Sequence, residues 1–230
     1  MNSPRRSQGA PHHAFIESLT TQLAVVADPT RARKQQAYMK SSLPYYGIAM
    51  PDVRRITKAA IRTHDITDAA QLKATVRTLW DSVTYREQWY AALMLCGAPR
   101  YAKYRTMEFL DLYEHVIVTG AWWDVVDDAA THLVGPLLRD QRPHMTSVIT
   151  EWANGEDLWL RRTAIICQVG AGTATDNALL RTVIEANLGR PEFFLRNAIG
   201  WALRDYARTA PVWVMAYVGD HDQLSGLSKR

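Results

Sequence analysis

Hydrophobic positions recur at helical spacing along almost the whole chain, and no segment of useful length alternates like a β-strand. This pattern predicts helices separated by turns that contain glycine or proline. The predicted helices fall near 14–27, 30–40, 51–64, 68–81, 84–96, 99–117, 122–138, 141–153, 157–169, 174–188, 191–208 and 211–219. We therefore expect an all-α protein.

A weak internal repeat organises these helices. Short blocks with alanine at their third position begin at residues 90, 127, 162 and 196, at intervals of 37, 35 and 34 residues. Periods in this range predict an α-solenoid of HEAT-like antiparallel helix pairs. Asp127 and Arg162 then occupy equivalent places on neighbouring repeats. We expect both on the concave face, which is the usual binding surface of a solenoid.

The 230-residue chain has ordinary apolar content and can bury a full core. We expect one repeat domain over residues 14–220, between an N-terminal tail of residues 1–13 and a C-terminal tail of residues 221–230. The sequence has no apolar run of membrane-spanning length and no secretory signal. Cys96 and Cys167 lack metal-ligand spacing and are typical of reduced core thiols, which predicts a cytoplasmic protein.

The net charge of +4 hides an asymmetry between the two ends of the chain. Residues 1–62 carry ten Lys or Arg and three Asp or Glu, a net charge of +7. A basic end suits a polyanion such as nucleic acid, although a solvated basic surface fits the charge equally well. Arg54, Arg55 and Lys58 follow Pro51 at a predicted helix start and are candidates for phosphate contacts.

An acid and an indole share a face in the segment AWWDVVDD. Trp123 and Asp127 are four residues apart on a predicted helix. A helical aspartate is more often plain solvated surface, and a helical tryptophan is more often core. The pairing of the two favours a site. Adjacent helical residues point about 100° apart, so we expect Trp122 to pack in the core and Trp123 to be exposed.

A second tryptophan and an arginine complete the candidate chemistry. Trp201 shares a polar stripe with Asn197 and Arg204, which favours its exposure. Arg162 has two interpretations, an ion pair with Asp127 or a bidentate clamp on a phosphate. We expect its neighbour, Arg161, to remain in solvent. Two indoles, a carboxylate and a guanidinium suit a cationic sugar beside a phosphate, which points to DNA chemistry.

The segments YMKSSLPYYGIAMPDVRRI, AWWDVVDDAATHLVG, LWLRRTAIICQ and FFLRNAIGWALRDYA resemble the AlkD-type DNA alkylation repair family, whose members are HEAT-like repeat DNA glycosylases. The likeness covers roughly residues 14–219. It implies catalytic roles for Trp123, Asp127 and Trp201, and a phosphate contact for Arg162. The family motif LREY reads LRDY here, a mild departure away from these residues.

The resemblance implies excision of cationic N3- or N7-alkylated purines from duplex DNA, with hydrolysis of the N-glycosidic bond and an abasic site as product. We expect a monomeric, cytoplasmic and nucleoid-associated enzyme that needs no cofactor or metal, with Arg204 among its DNA contacts. Two alternatives remain open: a catalytically silent DNA-structure binder, and a protein-binding adaptor, the commonest use of HEAT-type folds. Base release from methylated DNA distinguishes a glycosylase from the first alternative, and salt-dependent DNA affinity distinguishes it from the second.

Overall fold

The structure, a computed structural model, describes residues 9–229. Its regular elements in that range are all helical, which confirms the predicted all-α class. The α-helices are α1 (His13–Val25), α2 (Pro29–Met39), α3 (Met50–Thr63), α4 (Ala69–Asp81), α5 (Arg86–Cys96), α6 (Leu110–Gly120), α7 (Trp123–Ala129), α8 (Gly135–Asp140), α9 (Arg142–Asn154), α10 (Leu158–Ile166), α11 (Asn177–Glu185), α12 (Phe193–Ala207) and α13 (Pro211–Asp220). None of them is long and apolar enough to cross a membrane.

Four helices begin directly after an aspartate whose side chain accepts backbone N–H groups of the first turn, namely Asp28, Asp68, Asp157 and Asp176. Such caps satisfy amides that have no partner within the helix. The cap at Asp176 explains why α11 begins at Asn177 and not at 174, where the pattern had predicted its start.

The single helix predicted over 99–117 is wrong. Two 3₁₀ turns, Pro99–Tyr104 and Met107–Phe109, precede α6. Between them, Arg105 has a non-helical backbone, and the hydroxyl of Thr106 accepts the amide of Glu108. Local side-chain bonds of this kind compete with a continuous helix. The chain divides into two compact units at this point, after Arg105.

In the first unit, α3 packs between α1 and α5, and α4 packs on α5. The carboxylate of Glu87, at the start of α5, is 1% exposed and accepts the amides of Tyr46, Gly47 and Ile48 at 2.9–3.1 Å. Three such bonds offset the cost of burying the acid and hold the loop before α3 against α5.

Part of the predicted N-terminal tail, residues 1–8, lies outside the described residues. The backbone amide of His12 donates to Thr75 on α4 at 2.8 Å. The ring of His12 then caps α1 by accepting the amide of Phe15. The segment just before α1 is therefore bonded to the first unit.

In the second unit, α10 lies at the centre and packs against α6, α7, α9 and α12. The guanidinium of Arg161 donates to the last carbonyls of α9, on Ala153 and Asn154, and to the side chain of Asn187. The expectation that Arg161 remains in solvent is wrong, since it is only 7% exposed. These carbonyls have no partner within α9, and Arg161 satisfies them.

The C-terminal segment packs along α12. Leu224 and Ser228 are buried, and the hydroxyl of Ser228 donates to the carbonyl of Arg196 at 3.0 Å. Gly200 makes the approach possible, because a β-carbon there would press on the backbone of Leu227 and Ser228. The segment expected as a tail thus covers the side of α12 behind Gly200.

Candidate active site

The two adjacent tryptophans occupy different environments. Ala121 ends α6 in the left-handed conformation, with φ 38° and ψ 39°, and Trp122 is extended, so α7 begins at Trp123. The ring of Trp122 packs against Trp159 and Phe194, with centroids 6.1 and 5.5 Å away. Trp123 is 37% exposed, as expected. The two rings differ in environment because the chain changes direction sharply before α7. The expected cause, the angle between two adjacent helical residues, does not apply, since Trp122 precedes the helix.

A π-helical turn, Ala130–Val134, joins α7 to α8. Pro136 follows it and has no amide to donate, so the chain here departs from regular α-helical bonding. Gly135 lies directly against the backbone of Cys167, at the end of α10. This close approach holds the α7–α8 segment against α10 and brings Asp127 opposite Arg162.

Asp127 and Arg162 form a two-pronged ion pair. The Nε and Nη2 atoms of Arg162 donate to the two carboxylate oxygens of Asp127, both at 2.7 Å. Its Nη1 atom donates to the carbonyl of Phe194 at 2.6 Å and to Oδ1 of Asn197 at 3.3 Å. Of the two interpretations of Arg162, the ion pair is the one present. With 2% exposure, the guanidinium offers little surface to a phosphate.

The three side chains lie at one register of the repeat. Arg162 is 35 residues from Asp127, and Asn197 is 35 residues from Arg162. Each comes from a different helix, α7, α10 and α12. The predicted equivalence of Asp127 and Arg162 therefore extends to Asn197, and a hydrogen-bonded row crosses three consecutive repeats.

The carboxylate of Asp127 is partly shielded from solvent. Burial raises the pKa of Asp127, and the charge of Asp124 adds to the rise, whereas the hydrogen bonds and charge of Arg162 oppose it. The Asp127 side chain keeps 18% exposure, so one side of the acid still faces open space. A charge with little water around it acts more strongly on a neighbouring charge.

The ion pair lies at an open cleft of about 360 Å³ in the second unit. Its lining consists of Trp123, Asp127, Arg162, Phe193, Phe194, Asn197, Trp201 and Arg204. The structure thus brings together the five predicted site residues that belong to this unit. Trp201 is half-buried and Arg204 is exposed. An aromatic and partly charged cleft of this kind can hold a sugar and its phosphates.

Sequence reasoning missed Phe193 and Phe194. Phe193 is 61% exposed at the cleft, and Phe194 packs beneath it with Trp122. Phe193 precedes Asn197 by four residues and Trp201 by eight, which is the spacing of one helical face. That spacing is visible in the sequence and indicates Phe193, whereas the contact of Phe194 with Trp122 depends on tertiary packing.

The remaining candidates, Arg54, Arg55 and Lys58, lie on α3 in the first unit. Arg55 pairs with Asp52 at 3.0 Å. Arg54, Lys58 and Arg62 are exposed, recur every four residues, and have no carboxylate partner among residues 9–229. Like charges at this spacing weaken a helix slightly, which favours a binding role for the row. Arg62 was not predicted because it lies in the last turn of α3, beyond the helix start on which the prediction rested.

The fold and the cleft define a class of helical-repeat protein in which an ion-paired carboxylate and two indoles line one open cleft. The model of the family described as DNA alkylation repair enzyme matches residues 19–230. The chain therefore belongs to the DNA alkylation repair enzyme family.

Two solved structures are similar to this chain. One is titled a predicted DNA alkylation repair enzyme from Enterococcus faecalis; it has 27% identity and a TM-score of 0.80, and the match covers 89% of this chain and 93% of that one. The other is AlkD2 from Streptococcus mutans, with 15% identity, a TM-score of 0.62, and coverage of 94% and 93% respectively. At that identity the second shows the helical fold alone. No curated protein matches the chain.

Proposed function

We propose that this protein is a DNA glycosylase that excises cationic N3- or N7-alkylated purines from duplex DNA and leaves an abasic site. Membership of a DNA alkylation repair family supports the general role. The observation that carries the specific reaction is the carboxylate of Asp127, fixed by Arg162 at an open cleft between Trp123 and Trp201.

The chemistry of the substrate explains why a carboxylate suffices. A purine alkylated at N3 or N7 carries a formal positive charge and departs as a neutral base, so it needs no general acid. As the glycosidic bond breaks, positive charge develops on the deoxyribose. The fixed charge of Asp127 stabilises that oxocarbenium ion, and one of its oxygens can orient water towards C1′.

Arg162 makes this carboxylate effective without contacting the sugar. Both prongs of the guanidinium bind Asp127, so the acid needs little reorganisation when charge develops nearby. In this proposal Arg162 is a positioning residue. The earlier alternative, a clamp on phosphate, would require the bonds to Asp127 and Phe194 to break first.

The aromatic residues supply attraction that grows during the reaction. Trp123 and Trp201 both line the cleft, and an indole face attracts a cationic sugar more strongly than a neutral one. Arg204 and the basic row of α3 would contact backbone phosphates. The cleft is open, so the enzyme we propose acts on the sugar from outside the duplex. We propose further that it acts as a monomer in the cytoplasm, near the nucleoid.

Release of 7-methylguanine and 3-methyladenine from alkylated duplex DNA tests this proposal directly. Free bases and abasic sites should appear together, in equal amounts, at a rate above spontaneous depurination. If the purified protein binds DNA and releases neither base, a DNA-structure binder replaces the glycosylase. If it shows no salt-dependent affinity for DNA, the adaptor interpretation replaces both.

A further inference from the structure

The side-chain amide of Asn197 has its orientation fixed by Arg162. Nη1 of Arg162 lies 3.3 Å from the Asn197 amide. A guanidinium has only donors, so it must face the oxygen of the amide and not its nitrogen. The NH₂ group of Asn197 therefore points away from Arg162, and no residue among 9–229 accepts a hydrogen bond from it. Since Asn197 lines the cleft, two oriented N–H donors are available there.

The neighbours of Asn197 on α12 indicate what these donors meet. Asn197, Trp201 and Arg204 line the cleft at i, i+4 and i+7. The rise of an α-helix places Asn197 and Arg204 about 10 Å apart along the axis, on either side of Trp201. A sugar packed on the indole of Trp201 has one phosphate on each side. One phosphate would then lie toward Arg204 and the other toward Asn197.

We propose that Asn197 binds a backbone phosphate beside the deoxyribose in the cleft, through the NH₂ group that Arg162 turns outward. The proposal rests on the proposed function, which makes the bound strand DNA. It assigns the two flanking phosphates to donors of different kinds, a neutral amide and a guanidinium. The two can be distinguished because only a cation releases a counterion from DNA when it binds.

Two substitutions separate phosphate binding from support of Arg162. Asn197→Asp keeps an oxygen toward Arg162 but turns the outward donor into a negatively charged acceptor. Asn197→Ala removes both contacts. If the amide binds phosphate, affinity for duplex DNA should fall about ten-fold in the alanine variant, the effect of one hydrogen bond to a charged group, and further in the aspartate variant. If Asn197 only supports Arg162, whose other donors bind Asp127 and Phe194, the alanine variant should bind duplex DNA as tightly as the wild type, which overturns the proposal.

Salt dependence gives an independent readout. Asn197→Ala should leave the slope of log affinity against log salt unchanged, whereas Arg204→Gln should reduce it by about 0.9. Asn177→Asp, on the exposed first turn of α11 outside the cleft lining, makes the same charge change and should have little effect on affinity. A slope lowered by Asn197→Ala as much as by Arg204→Gln would contradict a neutral contact.

A modified DNA identifies which phosphate Asn197 contacts. Duplexes carrying a single methylphosphonate lack one phosphate charge. Their affinity is measured for the wild-type protein and for Asn197→Ala, which gives the loss caused by the modified phosphate and the loss caused by the substitution. At the phosphate that Asn197 meets, the two losses should not add. Additive losses at both phosphates that flank the lesion would overturn the assignment. These measurements depend on binding alone. A protein that releases no base would disprove the glycosylase function, and the binding data would still test the phosphate contact.

Discussion

Gly135 lies so close to Cys167 that a β-carbon at position 135 would overlap the carbonyl oxygen of Cys167. This contact joins the start of α8 to the end of α10. Asp127 lies just before the π turn that leads into α8, and Arg162 lies one turn before the end of α10. The distance between the two charged groups therefore depends on a glycine that touches neither of them.

Gly135→Ala should destabilise the protein by about 1–3 kcal/mol, the usual cost of forcing a methyl group into a packed contact. Excision should also slow, because Asp127 and Arg162 would move apart. Gly219→Ala is the matched control, since a β-carbon there meets no atom within 4 Å. Chemical denaturation measures both variants. A Gly135→Ala protein as stable as the wild type would show that α8 can shift without cost.

Asp127→Asn should reduce excision by about 10²–10³-fold, the size of losing one preorganised electrostatic group. Binding to undamaged duplex should change little. The variant should also melt earlier, because Arg162 is buried and loses its charged partner. Adding Arg162→Met removes the unpaired charge, so the double variant should regain melting temperature but not excision. Recovery of excision along with stability would contradict the electrostatic role of Asp127.

Excision should weaken as the pH falls, with an inflection above the usual range of an aspartate. The active form is the ionised carboxylate, and burial raises the pKa of Asp127. Because Asp124 contributes to the rise, Asp124→Asn should move the inflection to lower pH. The profile of kcat/KM from about pH 4 to pH 8, corrected for spontaneous base loss, provides the test.

Loss of the Trp123 ring should slow excision and leave the melting temperature nearly unchanged, since the ring is exposed at the cleft. Trp122→Ala should instead cost about 3 kcal/mol, because the ring packs against Trp159 and Phe194. Trp123→Phe should recover part of the activity, as a smaller aromatic face remains. Trp201→Ala should behave like Trp123→Ala in rate. Thermal melts and single-turnover rates compare the variants, and an unfolded Trp123→Ala protein would invert this assignment.

Replacing Arg54, Lys58 and Arg62 together by glutamine should flatten the slope of log affinity against log salt by about 3 units. The effect should be equal on damaged and undamaged DNA, since phosphate contacts carry no sequence or lesion information. Arg55→Gln is the control, because its charge is already paired with Asp52. If the single and the triple variant change the slope equally, the DNA contact of the first unit lies elsewhere.

The sequence predicted the helix starts best at the aspartate caps of α2, α4 and α10, where the predicted and observed starts differ by one residue. It failed over 99–117, where Arg105 and Thr106 interrupt a pattern that is apolar enough for one helix. It identified Asp127 and Trp123 because both lie on one short helix. It placed Arg161 in solvent because the carbonyls that bind it, seven and eight residues earlier at the end of α9, are backbone groups that leave no signal in the residue pattern.

The row of Asp127, Arg162 and Asn197 takes one side chain from each of three successive repeats. Helical-repeat proteins generally accept an added or deleted unit, because each unit contacts only its neighbours. Here a whole unit inserted after residue 140 would separate α7 and α8 from α10 and place a foreign side chain opposite Asp127. Growth of the chain by duplication is therefore blocked between α8 and α12, where the proposed chemistry depends on the order of the repeats.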